Sequence, residues 1–289
     1  MKIVKYIGGL GNQMFIYSFQ YLLQKHYGET IYADTLYYKD HKFHNGLELE
    51  NIFDIKLTPA NVRDILKLAY YIPNYYLDYH LRRYLPNRKH QYYEPEGGAY
   101  TEDVFTKDRD RYYFGYWQDH KYYDAIHDEL MSAFRFKHPL DDRNKSIADK
   151  MLSSENSVAV HVRRGDYVTH HLYKDICTEE YYTKALDVIK SKVVSPIYYV
   201  FSNDIAWCKE KLAPIIGDAK IVYVDWNCGK ESYRDMQLMS LCKSLIIANS
   251  SFSWWGAYLN GRKPLVVAPK KWVNEPLAFE FTLDEWVKI

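Results

Sequence analysis

The 289-residue sequence lacks a surplus of charge of either sign, since 38 Lys+Arg stand against 37 Asp+Glu for a formal net charge of +1. A general nucleic-acid binder carries a basic surplus, so no nucleic-acid partner is expected. Long apolar runs are also missing. The longest, residues 68–72 and 197–201, have five residues, whereas a membrane span takes about 20. Gly8 and Gly9 interrupt the start before a signal-peptide core can form. We therefore expect a soluble, cytoplasmic protein.

Cysteine is scarce, and its spacing does not suit a zinc site. Two of the four cysteines, Cys208 and Cys242, fall in predicted helices, where we interpret them as buried small apolar residues. The apolar fraction of 47% and the charged fraction of 26% are ordinary for a globular chain. These values exclude a disordered tail, a collagen and a coiled coil, and the length allows one large or two medium domains.

Aromatic residues are abundant, with 30 Tyr, 12 Phe and 7 Trp making up 17% of the chain. Aromatic rings stack on the C–H faces of sugars, and the tyrosine hydroxyl adds a hydrogen-bonding group. Alternatively, the tyrosines simply fill half-buried positions of the fold. The composition alone leaves both interpretations open.

Short apolar segments alternate with helical patterns in the second half of the chain. The predicted strands are 158–162, 197–201, 221–224, 244–248 and 265–268, and the predicted helices are 178–192, 205–212, 231–242 and 252–259. This alternation predicts an α/β fold with a parallel sheet covered by helices on both faces. Ligands of such sheets bind beyond the carboxyl ends of the strands, so the residues after each strand are the candidates for chemistry.

The first half begins with a predicted strand at 3–7, the turn Gly8-Gly9-Leu10-Gly11 and a helix. A dinucleotide-binding fingerprint would place a third glycine at position 14, where Met14 stands, so that interpretation is weak. We expect the tight turn to bring Asn12 and Gln13 close to another group. Further elements are predicted at 31–32 (strand), 61–71 (helix), 112–116 (strand) and 121–134 (helix), with a domain boundary near Pro139.

Two adjacent arginines follow the first strand of the second half, in the string His161-Val162-Arg163-Arg164-Gly165-Asp166-Tyr167. Both cannot face the core, and the planar fork of arginine suits a pair of phosphates. The alternative is a solvated sheet edge with an Arg–Asp ion pair, and His161 can equally be an ordinary residue of the sheet.

Polar residues also follow two other predicted strands. Asn203 and Asp204 come after the second strand, where a side chain can hydrogen-bond a base or ribose, but Asp204 can equally cap the helix that begins at Ile205. Ser250, Ser251, Phe252 and Ser253 open a helix directly at a strand end. Free backbone N–H groups and hydroxyls make such a start an anion site, although plain helix capping is the alternative.

Asp108 and Asp110 have the spacing with which metal-dependent glycosyltransferases hold Mg²⁺ or Mn²⁺. They lie in an alternating-charge stretch, Lys107-Asp108-Arg109-Asp110-Arg111, with no apolar strand before it. We interpret this stretch as a solvated loop, so no metal site is predicted.

Several of these strings together resemble the bacterial α-1,2-fucosyltransferases of glycosyltransferase family 11. The matching strings are H-V-R-R-G-D-Y (161–167), G-G-L-G-N-Q-M-F (8–15), F-S-N-D (201–204) and N-S-S-F-S-W-W-G-A-Y-L (249–259), with Trp207, Tyr233 and Met236 in addition. The resemblance implies a GT-B fold, with two Rossmann-like domains facing a cleft. Residues 1–140 would form the acceptor-side domain, and residues 141–289 would bind GDP-L-fucose. The implied activity is metal-independent and inverting. It moves L-fucose to the 2-hydroxyl of a terminal β-galactoside, with GDP-L-fucose as donor substrate and no cofactor.

The resemblance also implies roles for individual residues. Arg163 and Arg164 would contact the diphosphate, with Arg163 as the catalytic clamp, and His161 and Asp204 would contact guanine. The remaining implied site residues are Asn12 near the reacting centre and, on the donor, Asn203, Ser250, Ser251, Phe252 and Ser253. Asp166 is a candidate base, but it can instead brace an arginine, and the leaving phosphate can take the proton itself.

Independent chemistry agrees with this interpretation, because a departing nucleoside diphosphate leaves negative charge that arginines and a helix N-terminus can hold without a metal. Two alternatives stay open: a glycosyltransferase for another nucleotide sugar, and a nucleotide- or carbohydrate-binding module without catalysis.

The stretch 70–93 is rich in Tyr, Arg and Lys. It predicts either peripheral membrane contact at the inner membrane or a subdomain whose tyrosines pack on the N-terminal sheet.

Overall fold

The computed structural model describes residues 1–40, 44–72, 77, 80–81, 84–107 and 109–289. The chain divides into two compact units. The first comprises Met1–Lys137 and Leu277–Phe281, and the second comprises His138–Pro276 and Thr282–Ile289. The chain therefore passes from one unit to the other three times.

The first unit contains a four-stranded parallel sheet in the order β2-β1-β4-β3. Its strands are β1 Lys2–Lys5, β2 Ile31–Asp34, β3 Gln91–Tyr93 and β4 Arg111–Phe114. Its described α-helices are α1 Leu10–Tyr27, α2 Tyr37–Asp40, α3 Leu49–Ile52, α4 Val62–Leu68 and α5 His127–Ala133. Three short 3₁₀ turns, Glu102–Val104, His120–Tyr122 and Asp124–Ile126, complete this unit.

The predicted helix over 121–134 is wrong in its first half, where two 3₁₀ turns precede α5. The Asp119 carboxylate accepts a hydrogen bond from Lys121 N at 3.1 Å and tightens the first turn. Tyr122, Tyr123 and Ile126 are all buried. The backbone hydrogen bonds here join residues three apart, with Tyr123 N donating to His120 O at 2.7 Å and Ile126 N donating to Tyr123 O at 2.9 Å, which is the 3₁₀ pattern rather than the α pattern.

A short segment late in the chain, Leu277–Phe281, packs on the first unit. Ala278 N donates to Gly97 O at 3.0 Å, and the Phe281 ring meets Phe15 of α1 edge-on with centroids 5.9 Å apart. A β carbon at Gly97 would lie 2.8 Å from the Ala278 side chain, so this close approach requires glycine. The segment is thus an integral part of the first unit.

The second unit contains a six-stranded parallel sheet in the order β10-β9-β8-β5-β6-β7. Its strands are β5 Ser157–Val162, β6 Ile197–Ser202, β7 Ile221–Val224, β8 Ser244–Ile246, β9 Leu265–Ala268 and β10 Val287–Lys288. Its described α-helices are α6 Asp142–Leu152, α7 Asp166–Thr169, α8 Glu179–Lys192, α9 Ile205–Trp207, α10 Ala213–Ile216, α11 Tyr233–Met239 and α12 Ser251–Tyr258. A π turn, Cys208–Leu212, joins α9 to α10, and a 3₁₀ turn, Gly229–Glu231, precedes α11.

The core of the second unit forms between β5 and the helices on its faces. All six residues of β5 are buried, and Val160 packs in one cluster with Leu186 and Ile189 of α8. Thr178 caps α8 by accepting a hydrogen bond from Tyr181 N at 3.4 Å. Cys208 and Cys242 are buried and free, as predicted. Ten tyrosines of the described chain are buried, which favours the interpretation of tyrosine as a filler of the fold: Tyr6, Tyr112, Tyr113, Tyr122, Tyr123, Tyr181, Tyr182, Tyr198, Tyr199 and Tyr233.

The strand order reverses once in each sheet. In the second unit the chain proceeds from β5 outward to β7 and then returns to place β8 on the other side of β5. In the first unit the equivalent reversal lies between β1 and β4. Loops that leave neighbouring strands in opposite directions open a crevice at the carboxyl ends, where α/β folds bind ligands. The α/β prediction is confirmed. In the described part of the chain, no helix has both the length and the apolar character that crossing a membrane requires.

Candidate active site

His161 lies at the carboxyl end of β5, on one side of the strand reversal in the second unit. It is buried, and its backbone carbonyl accepts a hydrogen bond from the Tyr182 hydroxyl at 3.1 Å. Burial, with a smaller contribution from the Arg163 charge, lowers the pKa of His161 to about 3. The ring is therefore neutral at physiological pH. Its Nδ1 has no hydrogen-bond partner among the described residues.

Arg163 directly follows β5 and is held by its own loop. Its Nη2 donates to Asp166 Oδ1 at 2.8 Å, and its guanidinium carbon lies 5.1 Å from the centroid of the Tyr167 ring. The side chain is 30% exposed, so the remaining N–H groups face an accessible surface. Asp166 thus serves as a brace for Arg163 in this geometry, which is one of the two roles expected for it.

Arg164 is fixed by residues that follow the neighbouring strand β6. Its Nε donates to Asp204 Oδ2 at 3.1 Å, and its guanidinium carbon lies 4.5 Å from the centroid of the Trp207 ring. Its two terminal nitrogens, Nη1 and Nη2, donate no hydrogen bond to any of the described residues. Two parallel N–H donors are therefore presented in a fixed plane, which is the arrangement that binds phosphate oxygens in pairs.

Asn203 and Asp204 build the support of this arginine. The Asn203 side chain accepts from Arg164 N at 2.9 Å and donates to Arg164 O at 3.1 Å. Asp204 also caps α9, because its Oδ1 accepts from Trp207 N at 3.1 Å. Gly165 has a φ of 66°, and a β carbon there would lie 2.7 Å from Asn203 Nδ2. Both Asp204 oxygens are thus engaged within the protein, one as a helix cap and one on Arg164.

The start of α12 lies at the end of β8, on the other side of the reversal. Ser250 is the N-cap residue, but its side chain makes no capping hydrogen bond. The Ser253 hydroxyl is buried and directed at the carbonyls of Ala248 and Ser250, both at 3.3 Å. Ser251 and Phe252 are partly exposed. The first backbone N–H groups of α12 therefore lack a side-chain cap and can hold an anion.

The two sides of the reversal are brought together by strand pairing. Val160 of β5 pairs with Ile246 of β8, and the His161 and Phe252 rings lie 5.9 Å apart. Hence the arginine loop and the start of α12, which are almost 90 residues apart in sequence, form one site in the second unit.

Sequence reasoning missed several residues that shape this site. Asn249 is buried and donates to Trp272 O at 3.1 Å, and its Oδ1 accepts from Cys177 Sγ at 3.4 Å. The Tyr181 hydroxyl donates to Ile247 O at 2.6 Å and so fixes the chain just before α12. Asn249 is the first residue of the 249–259 motif, although no role was predicted for it, whereas no sequence pattern around Tyr181 indicated a contact with the site.

The glycine turn of the first unit leads directly into α1. Gln13 is buried and structural, because its amide donates to Gly8 O and Gly46 O and accepts from Glu48 N. Asn12 is half-buried, and its Oδ1 accepts from Gln118 Nε2 at 3.0 Å. Gln118 follows β4, so this pair spans the strand reversal of the first unit. The turn does bring Asn12 close to another group, as expected, and that group is Gln118.

The sequence also predicted that the stretch containing Asp108 and Asp110 is a solvated loop without a metal site. Asp108 lies outside the described residues, and Asp110 accepts a hydrogen bond from the amino group of Met1 at 2.5 Å. Among the residues that are described, no group of three His, Cys, Asp or Glu side chains could hold a metal ion.

In the 70–93 stretch, Arg88 donates to the carbonyls of Leu66 and Ala69 at the end of α4. Six further residues of this stretch lie outside the described residues: Tyr75, Tyr76, Asp78, Tyr79, Arg82 and Arg83.

Comparison with known families decides the assignment. The model of glycosyl transferase family 11 matches residues 2–289. The chain belongs to this family. The predicted family and the predicted class of enzyme, a glycosyltransferase, are thereby confirmed.

Relatives and solved structures of similar fold are consistent with this membership. An alpha-1,2-colitosyltransferase of Escherichia coli is 30% identical over 99% of this chain and 98% of its own length. Galactoside alpha-(1,2)-fucosyltransferase 2 of Rattus norvegicus is 28% identical over 100% of this chain and 77% of its own length. The crystal structure of the Bradyrhizobium alpha-1,6-fucosyltransferase NodZ soaked with GDP-fucose has a TM-score of 0.51 at 14% identity. It covers 89% of this chain and 92% of its own, and it shows the fold that the two parallel sheets predict.

Proposed function

We propose that this glycosyltransferase moves L-fucose from GDP-L-fucose to the 2-hydroxyl of a terminal β-galactoside, in an inverting reaction that needs no metal. The rat relative is named for α-(1,2) transfer of fucose to galactosides, and the Escherichia coli relative is named for an α-1,2 transfer of colitose. A crystal of NodZ, which shares the fold, was soaked with GDP-fucose. The chemistry of the second unit supports a nucleoside diphosphate as the bound part of the donor.

One observation supports this proposal most directly: two braced arginines and an uncapped helix start lie at neighbouring strand ends across the strand reversal. When the C1–O bond of fucose breaks, negative charge develops on the β-phosphate of GDP. The free N–H groups of Arg163 and Arg164 and the first N–H groups of α12 can stabilise that charge. Because these donors are held in place beforehand, little reorganisation is needed in the transition state.

The other site residues take supporting roles in this proposal. His161 is neutral and buried with an unpaired ring nitrogen, which suits a contact to the guanine base. Asp204 and Asn203 hold Arg164, and Asp166 holds Arg163. Since Asp166 is committed to an arginine, we assign it as a brace rather than as the base. The acceptor hydroxyl attacks the face of C1 opposite the departing phosphate, with Asn12 of the first unit near the reacting centre.

A second donor, GDP-colitose, is favoured by the 30% identity to an α-1,2-colitosyltransferase over nearly the whole chain. Colitose is L-fucose without its 3-hydroxyl group. A site that hydrogen-bonds the 3-hydroxyl would reject colitose strongly, whereas a site without such a contact would discriminate much less. The ratio of kcat/KM for the two donors therefore separates the two proposals.

The test is a panel of nucleotide sugars, GDP-fucose, GDP-colitose, GDP-mannose and UDP-galactose, each with and without lactose. We expect transfer to lactose from GDP-fucose, with an α-1,2 linkage in the product by NMR and only slow hydrolysis without lactose. Preference for GDP-colitose would establish the second candidate. Tight GDP binding without turnover of any donor would instead indicate a nucleotide-binding module, and transfer from UDP-galactose alone would contradict both candidates.

A further inference from the structure

The turn that follows β4, residues 115–118, has a backbone that its sequence does not favour. Trp117 has a φ of 55°, in the left-handed region that a bulky residue rarely adopts. Its indole is wholly buried and stacks on Phe19 of α1, with centroids 4.0 Å apart and ring planes 7° from parallel. Such a conformation persists only where the surroundings enforce it, and residues of this kind concentrate at functional sites.

Glu94, just after β3, enforces the shape of this turn. Its Oε2 accepts from Tyr116 N at 2.7 Å and its Oε1 accepts from Trp117 N at 2.8 Å. A β carbon at Gly115 would lie 2.4 Å from Glu94 Cβ, so only glycine permits this approach. Burial raises the pKa of Glu94 to about 7, although hydrogen bonds from the turn amides oppose that shift.

Asp119 anchors the other end of the same turn. It is buried, and its Oδ2 accepts from Tyr100 N at 2.7 Å while its Oδ1 accepts from Lys121 N at 3.1 Å. Gln118 therefore lies between two carboxylate anchors, one on each side in sequence. Its backbone position is fixed more firmly than that of an ordinary loop residue.

The side chain of this anchored residue makes a hydrogen bond to Asn12 at the start of α1. Gln118 Nε2 donates to Asn12 Oδ1 at 3.0 Å, which leaves Asn12 Nδ2 as the outward donor. Asn12 Nδ2 donates no hydrogen bond to any residue in the described part of the chain. Gly8, with a φ of 79°, makes room for this amide, because a β carbon there would lie 2.6 Å from Nδ2.

We propose that Gln118 is a positioning residue that orients the Asn12 amide so that Nδ2 donates to an uncharged sugar oxygen, and that Glu94 holds the turn which carries Gln118. This inference rests on the proposed function, in which Asn12 lies near the reacting centre. We assign the recognised group as an uncharged acceptor of hydrogen bonds, such as a hydroxyl or ring oxygen, because the Asn12 NH₂ group donates hydrogen bonds but brings no charge to the site.

The test is a kinetic double-mutant cycle on Gln118→Ala and Asn12→Ala, read as kcat and KM for fucosyl transfer to lactose. We expect Gln118→Ala to lower kcat about 10- to 100-fold, since misplacing a reacting group costs factors of this size. The KM for GDP-fucose should stay within about twofold, because the donor site lies in the second unit. In the Asn12→Ala background, Gln118→Ala should have no further effect. Additive losses in the double variant would overturn the proposal.

Two further variants distinguish orientation from mere packing. Gln118→Glu keeps the shape but cannot donate to Asn12 Oδ1, so its kcat should fall as far as that of Gln118→Ala. Glu94→Gln should lower kcat about tenfold, whereas Glu96→Gln, an exposed neighbour in the same loop, should not change it. Native kcat in Gln118→Glu would overturn the proposal even if Glu94→Gln fails to fold.

The failure of this inference is distinguishable from failure of the proposed function. Titration of each variant with GDP reports the donor site alone, and we expect the unmodified affinity in every folded variant. If the unmodified protein transfers fucose and Gln118→Ala does so equally fast, only the positioning role is wrong. If the unmodified protein neither transfers fucose nor binds GDP, the proposed function is wrong and the inference is overturned with it.

Discussion

Asp204 uses its two carboxylate oxygens for two different purposes, and substitutions can separate them. Oδ1 caps α9 at Trp207 N, and Oδ2 holds Arg164 Nε, both at 3.1 Å. Asp204→Ala removes both contacts. Loss of the cap costs about 1 kcal/mol, and loss of an ion pair whose side chains are roughly a third exposed costs at most about 1 kcal/mol. At about 2–4 °C per kcal/mol, the unfolding midpoint should fall by about 2–8 °C.

Donor binding should respond separately from stability. Without Asp204, the Arg164 guanidinium keeps its contact with Trp207 but loses its fixed orientation, so we expect GDP affinity to fall about tenfold, or about 1.4 kcal/mol. Asp204→Ser is the matched control, since its hydroxyl can cap α9 but cannot reach Arg164. It should melt closer to the unmodified protein and yet bind GDP as weakly as Asp204→Ala does.

The assay pairs thermal unfolding, followed by circular dichroism, with calorimetric titration of GDP. Native GDP affinity in Asp204→Ser, with weakened affinity in Asp204→Ala, would show that the carboxylate acts through the helix cap alone. Native affinity in both variants would remove Asp204 from the donor site altogether.

Four further outcomes are expected. Transfer should survive excess EDTA because arginines and a helix start hold the diphosphate in our proposal, and activity lost on chelation but restored by Mg²⁺ or Mn²⁺ would contradict it. Arg163→Lys keeps the charge but not the fork, so kcat should fall on the order of 10²–10³-fold, and near-native turnover in a folded variant would exclude Arg163 as the clamp. Burial lowers the pKa of His161 from its ordinary 6.5 to about 3, so the unfolded chain takes up a proton first and the folded state loses stability as pH falls from 6.5 toward 3. His161→Gln should therefore reduce the fall in unfolding midpoint between pH 7 and pH 4, and an unchanged fall would contradict this. If the 70–93 stretch contacts membranes, co-sedimentation with anionic liposomes at low salt should be lost on changing Arg82, Arg83, Arg88 and Lys89 to Gln, while transfer to a soluble acceptor persists. Absence of liposome binding by the unmodified protein would reject the idea.

The sequence predicted most of the second sheet because its strands are short, apolar and bounded by turn residues. β3, Gln91–Tyr93, was missed because it has three residues of which two are only half-buried, so no alternation is visible. α6, Asp142–Leu152, was missed because only Asn144, Ala148 and Met151 are buried along it. Because these three buried residues include a polar one and lie in a charged segment, the apolar residues do not recur at a recognisable helical spacing.

The donor site was predictable where its residues are contiguous in sequence, as in the arginine loop and the start of α12. Glu94 and Gln118 were not predictable, because their contacts depend on β4 pairing with both β1 and β3. Strand order in a parallel sheet is set by the packing of the whole unit rather than by any local spacing. The alternative interpretation of Asp204 as a helix cap was also correct, and the structure shows that capping and contact with Arg164 coexist.

The segment Leu277–Phe281 has a consequence for synthesis on the ribosome. The first unit is otherwise complete at Lys137, but the residues that cover Phe15 and Gly97 emerge roughly 140 residues later, after about 7–30 s at 5–20 residues per second. During that interval the nascent chain exposes an aromatic surface on α1 that the finished protein hides. We expect this surface to be a binding target for chaperones while the second unit is still being made.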